Sequence, residues 1–108
     1  MPSSVLALLD LGRGMYTIGP MGLNTKDRQE LLYPYVEIMQ DCRKLAGLSQ
    51  AKLGEEVGFS MKYVTLIEGQ RRTPALDSLL ALMAAAGVER ATAERLVKEV
   101  LDSFEWQS

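Results

Sequence analysis

The sequence predicts an all-α domain of five helices that follows an N-terminal extension. Apolar residues recur at helical spacing in successive segments, and glycine or proline stands between these segments. No stretch of convincing length alternates apolar and polar residues as a half-buried strand would. With 108 residues and 47% hydrophobic content, the chain has room for one modest core.

Residues 1–33 are predicted to form an extension or arm, because glycine and proline interrupt them repeatedly. Thr25 or Asn24 could cap a helical turn that reaches Leu32. One interpretation is an arm that contacts DNA or a partner, and the other, which we favour here, is a loose or partner-packed extension. The first helix of the domain is then predicted to open at Pro34, since proline is tolerated in a first helical turn, and to stop at Gly47.

A short second helix is predicted from Gln50 to Val57. Leu53 and Val57 lie four residues apart and therefore share one helical face, and Ser49 is well placed to cap the N-terminus. Gly58 follows where the chain must leave the helix, and glycine readily takes the left-handed conformation of a sharp turn. These residues predict a two-turn helix that ends in a sharp turn at Gly58.

A third helix, capped by Ser60, is predicted for residues 61–68. Val64 and Ile67 would face the second helix, where Gly54 leaves room for a close backbone crossing. A glycine inside an exposed helix costs about 1 kcal/mol relative to alanine, which favours a packing reason for Gly54. The outer face then carries Met61, Lys62 and Thr65.

Two further helices complete the prediction. Pro74 opens a helix that carries leucine, methionine and alanine at helical spacing and ends at Gly87. The last helix runs from about Glu89 to Phe104. Its apolar stripe consists of Ala93, Leu96, Val97, Val100, Leu101 and Phe104, and is followed by Trp106. So much apolar surface at the end of a small domain favours a dimer interface, so we divide the chain into 34–88 and a dimerisation element, 89–108.

Residues 47–74 resemble the Cro/repressor-type helix-turn-helix family, also called the XRE family. The resemblance rests on the LSQ opening at 48–50, the pair Leu53 and Gly54, the turn glycine Gly58, Ser60, and the tail of Ile67, Glu68, basic residues and Pro74. It extends over roughly residues 35–88. Three residues depart from the usual pattern: Gln70 stands where glycine is usual, Gly54 where alanine is commoner, and Cys42 where leucine is commoner.

The resemblance implies that the third helix enters the major groove of DNA. Its recognition segment, 60–68, would then present Ser60, Met61, Lys62 and Thr65 to base edges and nearby phosphates. Arg71 and Arg72 would contact the backbone, and so would Gln50, since glutamine at this position binds phosphate in the family. Lys62, Arg71 and Arg72 also have an ordinary interpretation as solvated surface charges.

The resemblance further implies an internal ion pair between Arg43 and Glu68, although two unrelated surface charges would give the same sequence. Gly54 and Gly58 are structural in either case.

The net charge of −2 is unevenly distributed. Residues 41–74 hold six basic and four acidic residues, a surplus of +2. Residues 75–108 hold three basic and six acidic residues, a balance of −3, and residues 1–40 hold three basic and four acidic ones, a balance of −1. The basic surplus coincides with the helix-turn-helix, as a surface that contacts phosphates requires.

Other classes of function find little support in the sequence. Cys42 is the only cysteine and histidine is absent, so an intramolecular disulfide is impossible and a conventional zinc site is not expected. Cys42 is predicted to be a buried structural thiol. We find no catalytic residues and no cofactor motif, and we expect neither an enzyme nor a metal protein. Without a secretory signal or a membrane-spanning run, a cytoplasmic location is expected.

The predicted function is a sequence-specific transcriptional regulator. The simplest form is a repressor that binds a palindromic double-stranded operator as a homodimer, since one short recognition helix contacts only a few base pairs. The alternative is an antitoxin or antiactivator that keeps the helix-turn-helix fold and binds another protein through its terminal segments.

Overall fold

The computed structural model describes residues 25–104, which form five helices and no strands. The helices are α1 (Thr25–Leu45), α2 (Gln50–Val57), α3 (Met61–Glu68), α4 (Leu76–Ala86) and α5 (Arg90–Asp102). The all-α prediction is therefore confirmed, as are the bounds of α2 and α3. Most of the predicted arm, residues 1–24, and the C-terminal residues 105–108, Trp106 among them, lie outside the described residues.

The first helix corrects the sequence prediction, because Pro34 does not open it. α1 begins at Thr25 and continues through Pro34, whose ring lies exposed. A proline inside a helix costs about 3 kcal/mol through a lost hydrogen bond and a steric clash. Leu32 and Tyr35, which flank it, are each only 4% exposed. Burial of these large side chains on both sides of Pro34 offsets that cost, so α1 stays continuous.

All five helices contribute to one hydrophobic core. Its fully buried side chains include Met39 of α1, Leu53 of α2, Ile67 of α3, Leu82 of α4 and Leu96 of α5. Cys42 packs against this core but is half-buried rather than buried as predicted. Because Leu96 is 0% exposed, one member of the predicted C-terminal apolar stripe belongs to the core of the chain itself.

The last two helices agree with their predicted positions to within two residues. α4 begins at Leu76, two residues after Pro74, which is itself buried and whose carbonyl accepts a hydrogen bond of 3.4 Å from Arg28 Nη2. Gly87, with φ +91°, ends α4. In the part of the chain described here, no helix is long and apolar enough to cross a membrane.

Candidate nucleic-acid interface

The helix-turn-helix is fixed at the start of both its helices by serine caps. Ser49 Oγ accepts a hydrogen bond of 3.0 Å from the backbone N–H of Lys52, and Ser60 Oγ accepts one of 3.1 Å from that of Tyr63. Each cap satisfies a backbone donor that the first helical turn leaves unpaired. Both predicted N-caps are confirmed, and so is Gly58, which ends α2 with φ +81°.

Gly54 lies where the turn between the two helices touches α2. A Cβ atom built on Gly54 would lie 2.5 Å from the carbonyl oxygen of Phe59, and the Phe59 N–H donates to the Gly54 carbonyl at 2.8 Å. The predicted close approach is confirmed. The group that Gly54 approaches is the backbone of the turn, which cannot move aside as a flexible side chain could. A residue with a Cβ atom at position 54 would therefore force α2 and α3 apart.

A buried ion pair joins α1 to the end of α3. Arg43 Nε donates to Glu68 Oε2 at 2.7 Å, and Arg43 Nη2 donates to Glu68 Oε1 at 2.9 Å. The Glu68 side chain is 1% exposed and that of Arg43 is 9% exposed. Arg43 Nη1 also donates to the carbonyl of Leu48 at 2.7 Å. The family-like ion pair is confirmed, and its fork-shaped geometry fixes the orientation of α3 against α1.

Two glutamines extend this pair towards the surface. Gln40 Nε2 and Gln50 Nε2 both donate to Glu68 Oε1, at 3.2 Å and 2.9 Å. Gln50 Oε1 in turn accepts a hydrogen bond of 2.7 Å from the hydroxyl of Thr65, on the exposed face of α3. From the sequence, Gln50 was predicted to bind phosphate and Thr65 to contact a base edge, and the contact between them was not predicted. Their positions, at the start of α2 and mid-way along α3, become neighbours only when the two helices cross.

The residues predicted to contact bases lie on one exposed surface that extends from the N-cap to the middle of α3. The side chains of Ser60, Met61, Lys62 and Thr65 are all exposed, and Met61, an apolar residue, is 56% exposed. Gln50 lies half-buried beside Thr65. We call the surface formed by Ser60, Met61, Lys62 and Thr65 the α3 face. It offers a hydroxyl pair, an ammonium group and an apolar side chain within two helical turns.

An aromatic pair connects α3 to the loop that carries Arg71 and Arg72, which we call the basic loop. The Phe59 and Tyr63 rings meet edge to face with centroids 4.9 Å apart, and the guanidinium carbon of Arg72 lies 5.0 Å from the centre of the Tyr63 ring. A guanidinium over an aromatic face is electrostatically favourable. Tyr63 was not among the predicted functional residues, although the spacing of Phe59 and Tyr63, four residues apart around a helix start, indicated a contact.

Comparison with known proteins agrees with this geometry. A family model described as helix-turn-helix matches residues 39–92, which is half of the 108-residue chain. The chain belongs to the Cro/repressor-type (XRE) helix-turn-helix family. It is accordingly a DNA-binding regulator of the XRE type. Comparisons with curated proteins and with solved structures gave no match.

The departure of this XRE-type chain at Gln70 has a structural explanation. After α3, the N–H of Gln70 donates to the carbonyl of Ile67 and the N–H of Arg71 to that of Leu66, at 2.9 Å and 2.8 Å. This is a Schellman motif, which requires a left-handed residue at the position of Gln70. Gln70 adopts that conformation, with φ +59°, although it is not glycine.

Contacts with α1 hold Gln70 in place. The Tyr33 hydroxyl donates to the Gln70 carbonyl at 3.1 Å, and Gln70 Nε2 donates to Glu37 Oε2 at 3.2 Å. The same Schellman pattern ends α1, α2 and α4, where the left-handed residues are Gly47, Gly58 and Gly87. Gln70 is the one non-glycine residue with positive φ between residues 25 and 104. The loop that carries Arg71 and Arg72 therefore starts from a strained, tethered residue.

Burial of the Arg43–Glu68 pair removes one positive and one negative charge from the surface, so the balance of residues 41–74 stays at +2. Each of these two charges neutralises the other inside the protein, so neither adds to the surface. Lys62, Arg71 and Arg72 are exposed, and Lys52 pairs with Glu55 at 3.4 Å. Lys62, Arg71 and Arg72 thus place three exposed positive charges on α3 and the loop after it, as phosphate contact requires.

Proposed function

We propose that this XRE-type regulator is a repressor that binds a palindromic operator as a homodimer. The observation that carries the proposal is the α3 face, which lies exposed on a helix fixed by caps and a buried ion pair and stands next to the basic loop. A rigid helix bearing a few exposed polar groups is the arrangement by which helix-turn-helix proteins contact base edges in the major groove.

On the α3 face, Lys62 and Thr65 are the side chains we assign to base edges. An ammonium group suits the O6 and N7 acceptors of guanine, and a threonine offers a hydroxyl and a methyl group. Ser60 and Met61 stand at the N-terminus of α3, where Ser60 Oγ already caps the helix and Met61 is exposed. We assign these two residues to the groove margin and to apolar contact with base or sugar.

The backbone contacts are assigned to Gln50, Arg71 and Arg72. The Gln50 amide nitrogen has two N–H groups, and the Glu68 carboxylate takes one of them, which leaves a donor for phosphate at the N-terminus of α2. Arg71 and Arg72 extend from the loop that follows α3. Contacts of this kind set the register of a protein on DNA without specifying the sequence.

The dimer part of the proposal draws on α5. Leu101 is 47% exposed, and Val97 and Val100 are only partly buried. A self-complementary apolar surface on this helix suits a two-fold interface, and two-fold symmetry would set two α3 faces about one DNA turn, roughly 34 Å, apart. Because Leu96 is part of the core, removal of the whole helix would damage the fold, so Leu101→Glu is the better test.

Sedimentation and light scattering test the dimer. The wild-type chain is expected to be dimeric in the micromolar range, and Leu101→Glu is expected to be monomeric with an unchanged circular dichroism spectrum. A wild-type chain that stays monomeric at high micromolar concentration would overturn the homodimer.

Selection of bound duplexes from a random DNA pool tests the function as a whole. Enrichment of a palindrome whose half-sites lie about 10 base pairs apart, or a multiple of that, would support a dimer on an operator. An enriched but asymmetric site would retain sequence-specific binding and contradict the palindrome. Recovery of no common sequence would contradict a sequence-specific regulator.

The repressor assignment rests on occlusion of a promoter as the simplest mechanism for a small DNA-binding dimer. In vitro transcription from a promoter that overlaps the selected site tests it. Repression is expected to increase with occupancy of the site, and activation by the bound protein would contradict the assignment.

A further inference from the structure

A chain of three side chains runs from the buried ion pair to the α3 face. Glu68 Oε1 accepts from Gln50 Nε2 at 2.9 Å, and Gln50 Oε1 accepts from Thr65 Oγ1 at 2.7 Å. At the inner end, Glu68 is held by two bonds from Arg43. At the outer end, Thr65 is exposed on the α3 face.

The buried end of this chain fixes the direction of every hydrogen bond in it. A carboxylate paired with a guanidinium can only accept, so the nitrogen of the Gln50 amide must face Glu68. The amide oxygen of Gln50 then necessarily faces Thr65. Since an amide oxygen can also only accept, the hydroxyl hydrogen of Thr65 must point towards Gln50. Thr65 is left with lone pairs, and no hydrogen, to offer on its outer side.

We propose that Thr65 selects a base with an exocyclic amino group, adenine or cytosine, on the DNA strand that it contacts. In the major groove the N6 group of adenine and the N4 group of cytosine are donors, whereas guanine and thymine present the acceptors O6, N7 and O4. A hydroxyl whose hydrogen is committed inside the protein pairs with the donors and opposes the acceptors. The inference rests on the proposed DNA-binding function and concerns one position of the site.

Gln50 is thus a positioning residue, because it orients the Thr65 hydroxyl, as well as a phosphate contact. Without its amide oxygen, the Thr65 hydroxyl would rotate freely and could donate to guanine or thymine as readily as it accepts from adenine or cytosine. Loss of Gln50 should therefore broaden the preference at one base position. A phosphate contact alone would lower affinity for all sequences alike and leave that preference unchanged.

The experiment compares the full-length wild-type chain with three variants by selection from a random duplex pool. Thr65→Val removes the hydroxyl and keeps the shape, Thr65→Ser keeps the hydroxyl, and Gln50→Met keeps the length of the glutamine without its amide. The wild-type protein and Thr65→Ser should prefer adenine or cytosine at one position by roughly five- to tenfold, the effect of one hydrogen bond. Thr65→Val should lose this preference, and Gln50→Met should admit guanine and thymine there.

Each contrary result points to a different step. If removing the exocyclic amino group at the position altered in Thr65→Val, with purine in place of adenine or 2-pyrimidinone in place of cytosine, weakens binding of the wild-type protein no more than binding of Thr65→Val, the acceptor-only role of Thr65 is wrong while DNA recognition stands. If Thr65→Val alters no position, Thr65 does not contact a base. If Gln50→Met is folded by circular dichroism and retains the wild-type preference, Gln50 does not orient the Thr65 hydroxyl. If Gln50→Met does not fold, the selections with the wild-type protein and the Thr65 variants decide whether Thr65 acts as an acceptor. No common sequence for the wild-type protein would reject the proposed function itself.

Discussion

The helix-turn-helix and the last helix, α5, both carry ion pairs of nearly equal length in different surroundings. Arg43 Nε and Glu68 Oε2 lie 2.7 Å apart and are almost completely buried. The pairs Arg90–Glu94 and Lys98–Asp102 on α5 are each 2.9 Å long, and all four of their side chains are at least 64% exposed. Distance alone does not separate these interactions, and burial does.

The two regions also differ in how their helices begin. α2 and α3 are each preceded by a serine whose hydroxyl accepts a hydrogen bond from a backbone N–H, whereas Glu89, which precedes α5, makes no side-chain cap. The helix-turn-helix is thus positioned by caps and a buried ion pair, and α5 by Leu96, its partly buried apolar neighbours and a hydrogen bond of 3.3 Å from Arg95 Nε to the Tyr35 hydroxyl. This difference suits the two proposed roles, a rigid face for DNA in the first region and a surface for self-association in the second.

The largest expected effect tests the comparison of buried and exposed ion pairs. Glu68→Ala should lower the free energy of unfolding by about 3–5 kcal/mol, because it leaves the Arg43 guanidinium buried without its partner. Asp102→Ala removes the same charge from an exposed pair and should change stability little. Urea denaturation followed by circular dichroism measures both, and equal losses in the two variants would contradict the comparison.

The basic loop after α3 should act on DNA through its charge. Replacing Arg71 and Arg72 together by alanine should lower affinity for all sequences and reduce the slope of log K against log salt by about one to two units. The matched control, Arg90→Ala with Lys98→Ala, removes two positive charges from α5 and should leave that slope unchanged. If the double variant has the same slope of log K against log salt as the wild-type protein, neither Arg71 nor Arg72 contacts phosphate.

A smaller effect is expected at the left-handed residue that ends α3. Gln70→Gly should raise the free energy of unfolding by up to about 1 kcal/mol, because glycine adopts φ +59° without strain and keeps the carbonyl that accepts from Tyr33, while only the exposed hydrogen bond from Gln70 Nε2 to Glu37 is lost. Gly87→Gln is the reverse exchange, at a position where an added Cβ meets nothing within 4 Å, and should lower it by a similar amount. If thermal or urea unfolding shows that both variants are more stable than the wild-type protein, or that both are less stable, the strain argument is refuted.

The smallest effect concerns an exposed pair on α5. The Asp102 carboxylate accepts a hydrogen bond from Lys98 and adds a favourable charge interaction, which together raise the pKa of Lys98 above the ordinary lysine value. A raised pKa means that the contribution of the pair is present at neutral pH and is lost as pH rises through the folded-state pKa. Carbon-detected NMR titration should show a lower Lys98 pKa in Asp102→Asn. An unchanged Lys98 pKa would mean that Asp102 does not interact with Lys98 in solution.

The sequence predicted the helix-turn-helix well because its signals are local. Ser49, Gly58 and Ser60 each act on backbone within three residues, so cap and turn chemistry located α2 and α3 at their observed ends. The Arg43–Glu68 pair was foreseen only through resemblance to the family, since nothing local links residues 25 positions apart.

Other features depend on tertiary contacts that no local pattern reveals. The continuation of α1 through Pro34 depends on burial of Leu32 and Tyr35 against the other helices. The hydrogen bond between Thr65 and Gln50 depends on the crossing of α2 and α3. Leu96, which was included from the sequence in the stripe for a dimer interface, lies in the core of the chain, because helical spacing identifies an apolar face but not what covers it.

The most direct test of DNA recognition by the α3 face replaces one lysine in each region by alanine. Fluorescence anisotropy titration with the selected operator and with a scrambled duplex should show that Lys62→Ala weakens specific binding by about 1–3 kcal/mol, while Lys98→Ala, which removes the same charge from α5, does not. Both variants should remain folded, since both lysines are exposed. Equal operator affinity for Lys62→Ala and Lys98→Ala would contradict the assignment of Lys62 to a base edge.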